Sequence, residues 1–152
     1  MMRRKATPAA IARRMATQFW GAVQRQCKLA PGIWWFTTAG HGGLVVDTDV
    51  RPELAKFNSE VSRNGLLYCD EQHFAAFEED CMAAIVEWTY PDIMPAIHRK
   101  ICTLDEGPTE TFVSERIETL RESLQRWYPD WLEKWPEPGT KKEEEVEKHE
   151  NQ

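Results

Sequence analysis

The chain has 152 residues with a formal net charge of −6 at pH 7, and its sequence pI is about 5.3. A chain of this length is usually one domain and can bury a core without disulfides or metals. The acidic balance argues against nucleic-acid binding unless a local basic patch overrides it, because a duplex-DNA binder needs a basic face to neutralise phosphates.

The cysteines and the N-terminal segment bear on the compartment. Cysteines occur at positions 27, 69, 81 and 102 without a C-x-x-C pair, so neither a disulfide framework nor a redox motif is indicated. Arg13 and Arg14 interrupt the apolar run that a secretory signal requires, and no stretch approaches about 18 apolar residues. We therefore expect a cytoplasmic protein with reduced thiols, no cofactor and no membrane partner.

The first 17 residues are basic and contain no carboxylate. Their cations are Arg3, Arg4, Lys5, Arg13 and Arg14. Pro8 after Thr7 is typical of the first position of a helix. We expect residues 1–17 to form a flexible arm that is either only solvated or binds nucleic acid or an acidic partner.

Residues 18–135 are predicted to form a single α+β domain, a small antiparallel meander of three to four strands packed against two or three helices. Loose alternation predicts a first strand over residues 19–29. Residues with high β propensity predict two further strands over residues 33–38 and 44–47. A brief fourth strand is predicted over residues 66–69.

Short turns join the first three predicted strands. Ala30-Pro31-Gly32 and Ala39-Gly40-His41-Gly42-Gly43 supply the turn chemistry, and the second turn has three glycines in four residues. Because parallel strands need long crossover connections, turns of this length predict an antiparallel arrangement.

Helices are predicted in the second half of the chain. Apolar residues at helical spacing predict the clearest helix from Glu71 to about Trp88, with Asp70 as its N-cap. Further helices are predicted over residues 52–61, 92–102, from 114 onward and over 130–135. The segment 136–152 has almost no apolar residues, and we expect a disordered charged tail there.

His41 is the leading candidate for chemistry. It lies in the glycine-rich turn, and histidine titrates near neutral pH without assistance. Glu78 and Asp80 lie on or near the apolar stripe of the predicted helix, where a carboxylate needs a partner. If that helix packs on the meander, Glu78 meets His41 or Arg25, and a His–carboxylate pair can perform general acid–base catalysis. The structural alternative is that Glu78 satisfies a backbone amide or an arginine.

The remaining motifs exclude several enzyme classes. The sequence contains no nucleophile elbow, P-loop, dinucleotide fingerprint or zinc-protease motif. Cys69, His73 and Cys81 are metal-binding residue types within thirteen residues, but their spacing matches no closed zinc pattern. We therefore expect no metal site.

Tryptophans are the candidate binding residues. Trp127, Trp131 and Trp135 recur every four residues and would form one ridge of a continuous helix. Such a ridge either packs in the core or binds a protein partner, because tryptophan is enriched in binding hot spots. Trp34 on the second strand and Arg25 on the first are further candidate binding residues.

Three segments carry a resemblance to a known family. They are Pro31-Gly32-Ile33, His41-Gly42-Gly43 and Phe77-Glu78-Glu79-Asp80, in that order. Over residues 19–95 the chain resembles a domain of unknown function found in bacteriophage and plasmid proteins. The resemblance implies a mobile-element origin and residence in the cytoplasm of a bacterial host, and it implies no catalytic assignment.

Three functions are compatible with these features. The favoured hypothesis is an accessory protein that binds a host or phage macromolecule, with a protein as the favoured partner, and countering host defence would fit that context. The second is a hydrolase or transferase that uses His41 and Glu78 on a small polar or nucleotide-like substrate. The third is nucleic-acid binding through the basic N-terminal residues.

Overall fold

The computed structural model describes residues 5–55, 67–69, 73–80, 82–102 and 109–143, and for residues 67–69 and 100–102 the backbone alone. The strands are β1 (Arg25–Ala30), β2 (Ile33–Thr37), β3 (Gly42–Asp47), β4 (Leu67–Cys69) and β5 (Phe74–Glu78). The α-helices are α1 (Pro8–Trp20), α2 (Ala83–Thr89), α3 (Met94–Cys102), α4 (Glu110–Trp127) and α5 (Pro129–Lys134). Short 3-10 helices occupy Pro52–Leu54 and Pro91–Ile93.

The five strands form one antiparallel sheet in the order β1-β2-β3-β5-β4. The predicted antiparallel meander corresponds to β1, β2 and β3, and the α+β class is confirmed. The predicted fourth strand is present as β4, which pairs with β5 at the far edge of the sheet. The strand that the prediction lacked is β5, which lies between β3 and β4.

Helix α1 covers one face of the sheet. Thr7 caps the helix by accepting a hydrogen bond from the Ala10 amide, and Pro8 occupies the first turn, as Thr7-Pro8 is expected to do. Alternate sheet residues pack beneath the helix together with its own apolar side. This cluster comprises Ala12, Met15, Ala16, Trp20, Trp34, Phe36, Val45, Phe74 and Ala76.

The other helices cover the opposite face and form what we call the helical layer (α2 to α5). The intervening sheet residues, including Ile33, Leu44, Val46 and Phe77, pack against this layer. Trp88 is fully buried at its centre, and its indole N–H donates to the Trp135 carbonyl over 2.7 Å. The sheet is therefore covered on both faces, which explains why most described side chains of β2, β3 and β5 are buried.

The predicted helix from Glu71 to Trp88 is wrong in its first half. Residues 74–78 form β5, and the described helical part begins at Ala83. Phe74 and Phe77 are three residues apart, which suits a helix, but in the structure they point to opposite faces of a doubly covered sheet. A short apolar run of this kind does not distinguish a buried strand from a helix.

The predicted strand over residues 19–29 and the flexible arm over residues 1–17 also need correction. Helix α1 continues to Trp20, and β1 begins at Arg25. Residues 8–17 belong to a helix whose apolar side is buried on the sheet, so they are part of the folded domain. Residues 1–4 lie outside the described residues.

The start of the predicted disordered tail is ordered as well. The Gly139 amide donates to the Trp88 carbonyl over 2.8 Å, and the Lys142 amide donates to the Lys134 carbonyl over 2.7 Å. Residues 136–143 are therefore held against the helical layer, and residues 144–152 lie outside the described residues. Most of the helix predicted over residues 52–61 also falls outside them.

Candidate functional site

The structure brings His41 and Glu78 together. The His41 Nδ1 atom lies 3.1 Å from Glu78 Oε1. Glu78 ends β5, and His41 immediately precedes β3, the strand that pairs with β5. The predicted proximity is thus present, although a strand pair rather than a helix laid across the sheet produces it.

The turn before β3 fixes the backbone of His41. The Thr38 hydroxyl donates to the His41 carbonyl over 2.8 Å and accepts from the His41 amide over 3.1 Å. The Thr38 amide also donates to the same carbonyl over 2.8 Å. These bonds close the β2–β3 connection and hold the imidazole at the end of the sheet.

Gly43 shows why the strand after His41 begins with glycines. A Cβ atom on Gly43 would lie 2.2 Å from the Phe77 carbonyl oxygen and 2.7 Å from the Trp20 ring. Glycine therefore allows the end of α1 to sit directly on the β3–β5 pair. The same close packing holds Glu78, which pairs with Gly43 in the sheet.

The His41–Glu78 pair is open to solvent. The side chains are 61% and 40% exposed, so water screens their attraction. With Nδ1–H donating to the carboxylate, Nε2 would face a substrate as a base, and Glu78 would orient the ring. Asp80 lies two residues beyond Glu78 in the following turn and is exposed. It adds negative charge at this end of the sheet.

A second histidine–carboxylate pair lies at the other end of the β3–β5 pair. The His73 Nδ1 atom is 2.8 Å from Asp49 Oδ1. His73 has a φ of 51°, and its carbonyl accepts hydrogen bonds from both the amide and the hydroxyl of Thr48. The side chains are 66% and 68% exposed. The zinc-binding residue types at positions 69 and 81 have side chains outside the described residues.

The predicted tryptophan ridge is not an exposed surface. Trp131 and Trp135 are buried in the helical layer and stack on each other with ring centroids 5.9 Å apart. Trp127 is 56% exposed, because the helix breaks at Tyr128 and α5 starts at Pro129. Trp34 is buried beneath α1. Of the four predicted binding tryptophans, Trp127 alone presents its side chain to solvent.

The basic N-terminal residues lie on α1, on the segment before it and on the edge strand β1. The Arg13 guanidinium donates to the Gln26 side chain, which places α1 beside the edge strand β1. We call the exposed cations of these two elements and of the segment before them the basic face: Lys5, Arg13, Arg14, Arg25 and Lys28. This surface surrounds the edge strand β1, because Lys28 pairs with Trp34 on the α1 side of the sheet and Arg25 pairs with Thr37 on the other side. Within the described part of the chain, none of the five forms an ion pair with a carboxylate. Arg3 and Arg4 lie outside the described residues.

A charge asymmetry along the sequence marks this face. The first 46 residues contain seven Lys or Arg and no Asp or Glu, whereas the chain from Asp47 onward contains twelve Lys or Arg and all 25 Asp or Glu. The prediction from the first 17 residues captured only part of this pattern and omitted Lys28. The absence of any carboxylate before Asp47 is the signal that would have identified it.

Two arginines outside the basic face are bound to carboxylates. Arg116 donates to both oxygens of the buried Glu87, over 2.8 Å and 2.6 Å, and these hydrogen bonds raise the pKa of Arg116 above its ordinary value. Arg51 donates to both oxygens of Asp92, over 3.2 Å and 2.9 Å. These arginines hold neighbouring elements together, so their charge is already compensated.

The described residues show neither a metal-binding cluster nor a membrane-spanning helix. Among the described residues, no group of three or more His, Cys, Asp or Glu side chains is placed to hold a metal ion. No helix in the described ranges is both long and apolar enough to cross a bilayer.

Comparison with known proteins assigns a family. The family model described as a domain of unknown function (DUF7007) matches residues 13–152, and the chain belongs to that family. The match extends beyond residues 19–95, which carry the sequence resemblance, into α1 and through the helical layer. No curated protein matches the chain, and no solved structure does.

Proposed function

We propose that this protein binds a macromolecule through the basic face, and that the macromolecule is a nucleic acid. The observation that carries the proposal is that the exposed cations Lys5, Arg13, Arg14, Arg25 and Lys28 belong to the first 46 residues, which contain no Asp or Glu, and lack carboxylate partners in the described structure. Cations of this kind are available to phosphates without first breaking an internal ion pair.

The acidic remainder of the chain supports an oriented encounter. All 25 Asp and Glu residues follow the first 46 residues, so a polyanion is repelled by most of the surface and attracted by one side. Such a field raises the rate of association at one patch and disfavours other orientations. A net charge of −6 is therefore compatible with nucleic-acid binding when the charges are segregated.

The proposed biological setting is an accessory protein of a phage or other mobile element in the bacterial cytoplasm. Countering a host defence through the bound macromolecule is one form that this role would take. A protein partner has weaker support than nucleic acid, because Trp131 and Trp135 are buried. Trp127 remains the one exposed member of the predicted ridge.

Fluorescence anisotropy with labelled DNA and RNA of about 16 nucleotides, single-stranded and duplex, tests the proposal. The variant Arg14→Ala/Arg25→Ala/Lys28→Ala should bind at least about tenfold more weakly, because it removes phosphate contacts. The control Arg99→Ala/Arg126→Ala/Lys142→Ala changes the net charge equally, through exposed residues of the helical layer and the segment after it. It should bind like the parent protein.

Two outcomes would refute nucleic-acid binding through this face. The parent protein would show no saturable binding to any of the oligonucleotides, or both triple variants would lose the same affinity. The second outcome would indicate a response to overall charge without a defined surface.

A second candidate function rests on the 3.1 Å contact between His41 and Glu78. In this alternative the protein is a hydrolase or transferase acting on a small polar or nucleotide-like substrate. His41 acts as general base or acid, and Glu78 orients its ring. Asp80 would contribute charge near the substrate without touching the reacting atoms.

The comparison of His41→Ala with His73→Ala tests the enzyme hypothesis. Both histidines pair with a carboxylate and are largely exposed, so both variants should keep the parent melting temperature. Hydrolysis of nucleotides, aryl esters and aryl phosphodiesters should disappear in His41→Ala and persist in His73→Ala. Equal rates in the two variants, or no turnover by the parent, would exclude a catalytic role for His41.

A further inference from the structure

A cleft lies at the end of the sheet opposite His41, where the β1–β2 turn meets the segments after β3 and α2. Its volume is about 480 Å³, and its lining includes Pro31, Arg51, Glu53, Tyr90, Asp92 and Trp135. Cavities of this size hold small ligands or single side chains of a partner. The basic face does not contribute to it.

Arg51 is a fixed wall of the cleft. Its Nε–H donates to the Pro31 carbonyl over 2.8 Å, and its two terminal nitrogens donate to the Asp92 carboxylate. Its guanidinium carbon lies 4.9 Å from the centre of the Tyr90 ring. The side chain is only 16% exposed. A guanidinium held by the β1–β2 turn and by residues 90–92 is poorly placed to receive an anionic ligand.

The carboxylates of the cleft are more accessible than its arginine. Asp92 is 53% exposed although Arg51 binds it. Glu53 is exposed, and its Oε2 accepts the Tyr90 hydroxyl over 2.7 Å. Burial and this hydrogen bond raise the pKa of Tyr90 far above its ordinary value, so its ring remains neutral. The lining therefore carries one cation and two anions at neutral pH.

We infer that this cleft binds an organic cation, a guanidinium or ammonium group on a short apolar stem. The Glu53 and Asp92 carboxylates receive the charged head, and the aromatic residues Tyr90 and Trp135 with Pro31 contact the stem. Carboxylates bind such a charged head through ionic hydrogen bonds, and an apolar cleft wall packs against the stem. The cation comes from a free small molecule or from an arginine or lysine side chain of a protein partner.

Butylguanidinium and butylurea separate the role of charge from that of shape, since they have nearly the same size. In amide NMR titrations of the full chain, butylguanidinium should shift Glu53, Tyr90 and Gly139 saturably, and butylurea should not. Glu53→Gln keeps an acceptor for the Tyr90 hydroxyl and should weaken binding about fivefold. The matched exposed change Glu118→Gln should leave binding unchanged.

A salt titration of the parent protein provides a measurement that needs no variant. Binding of butylguanidinium should weaken as salt increases, because exposed carboxylates attract the ligand. Equal shifts with butylurea, salt-independent binding, or equal affinities of the Glu53→Gln and Glu118→Gln proteins would overturn the inference.

Capped pentapeptides distinguish the two sources of the cation. An arginine peptide that binds at least about tenfold more tightly than butylguanidinium, with no binding of its citrulline counterpart, would identify a partner side chain. Equal affinities of peptide and butylguanidinium would identify a free small cation. Failure of both to bind would overturn the inference and leave the nucleic-acid proposal unaffected.

Discussion

The two faces of the sheet differ in the charge of the elements that cover them: α1 contains no Asp or Glu, whereas the helical layer contains acidic residues in α2, α4 and α5. α1 lies over one face, and the exposed cations of α1 and of the edge strand β1 beside it have no carboxylate partner in the described structure. On the other, Arg116 pairs with the buried Glu87 and Arg121 with Glu137. Both faces bury an apolar cluster, so the difference lies in the charges and not in the core.

This difference distinguishes cations that stabilise the fold by pairing with a carboxylate from cations that can bind a ligand. An arginine that neutralises a buried carboxylate cannot move away without leaving that carboxylate buried and unpaired, which is costly. An exposed arginine without a partner loses little when a ligand replaces its water. The side of the molecule that carries α1 and β1 is accordingly the one that we expect to bind a polyanion.

The largest expected effect concerns the tryptophans of the helical layer. Trp131 is buried and donates its indole N–H to Thr89 over 3.0 Å, so Trp131→Ala should cost about 3 to 5 kcal/mol of unfolding free energy. Trp127 is exposed, and Trp127→Ala should change the unfolding free energy by less than about 0.5 kcal/mol. Urea unfolding measures both. Equal losses would show that the exposed member of the series is also structural.

A smaller effect is expected where the two kinds of arginine are compared directly. Arg116→Met leaves Glu87 buried without its ion-pair partner and should cost about 3 kcal/mol. Arg14→Met removes an exposed charge on α1 and should cost less than about 0.5 kcal/mol. Thermal unfolding distinguishes the two. A tolerant Arg116→Met protein would mean that the helical layer does not depend on this pair.

The packing of α1 on the sheet gives the next effect. Gly43→Ala places a methyl group against the Phe77 carbonyl and the Trp20 ring and should cost about 2 kcal/mol by overpacking. A methyl group on Gly40 would meet no atom within 4 Å beyond its chain neighbours, and Gly40→Ala serves as the control. Equal unfolding free energies of the Gly43→Ala and Gly40→Ala proteins would indicate that α1 is only loosely packed on the sheet, as a flexible arm would be.

Much of the fold is predictable from local chemistry. The β1–β2–β3 meander follows from tight turns and β-branched or aromatic residues, and the capped start of α1 follows from Thr7-Pro8. The identity of β5 is not predictable in the same way. Its residues Phe74-Ala75-Ala76-Phe77 are buried from both sides, so they show no alternation, and tertiary packing decides their conformation.

The candidate site shows the same division between local and tertiary information. The sequence predicts that His41 and Glu78 meet, but it predicts a helix where the structure has β5. The contact forms in spite of this error, because any fold that places the β2–β3 turn beside the end of residues 74–78 brings the two side chains together. Trp127, Trp131 and Trp135 do not form one ridge, because Tyr128-Pro129 ends one helix and starts another. Burial of Trp131 and Trp135 depends on packing against Trp88 and Thr89, which spacing does not encode.

The salt dependence of binding tests the account most directly. Between about 50 and 200 mM salt, the logarithm of the binding constant for a single-stranded oligonucleotide should fall linearly with the logarithm of the salt concentration. Arg14→Ala/Arg25→Ala/Lys28→Ala should reduce the magnitude of this slope by about 2 to 3. Arg99→Ala/Arg126→Ala/Lys142→Ala should preserve it. Identical slopes for the two triple variants would contradict the claim that the basic face carries the phosphate contacts.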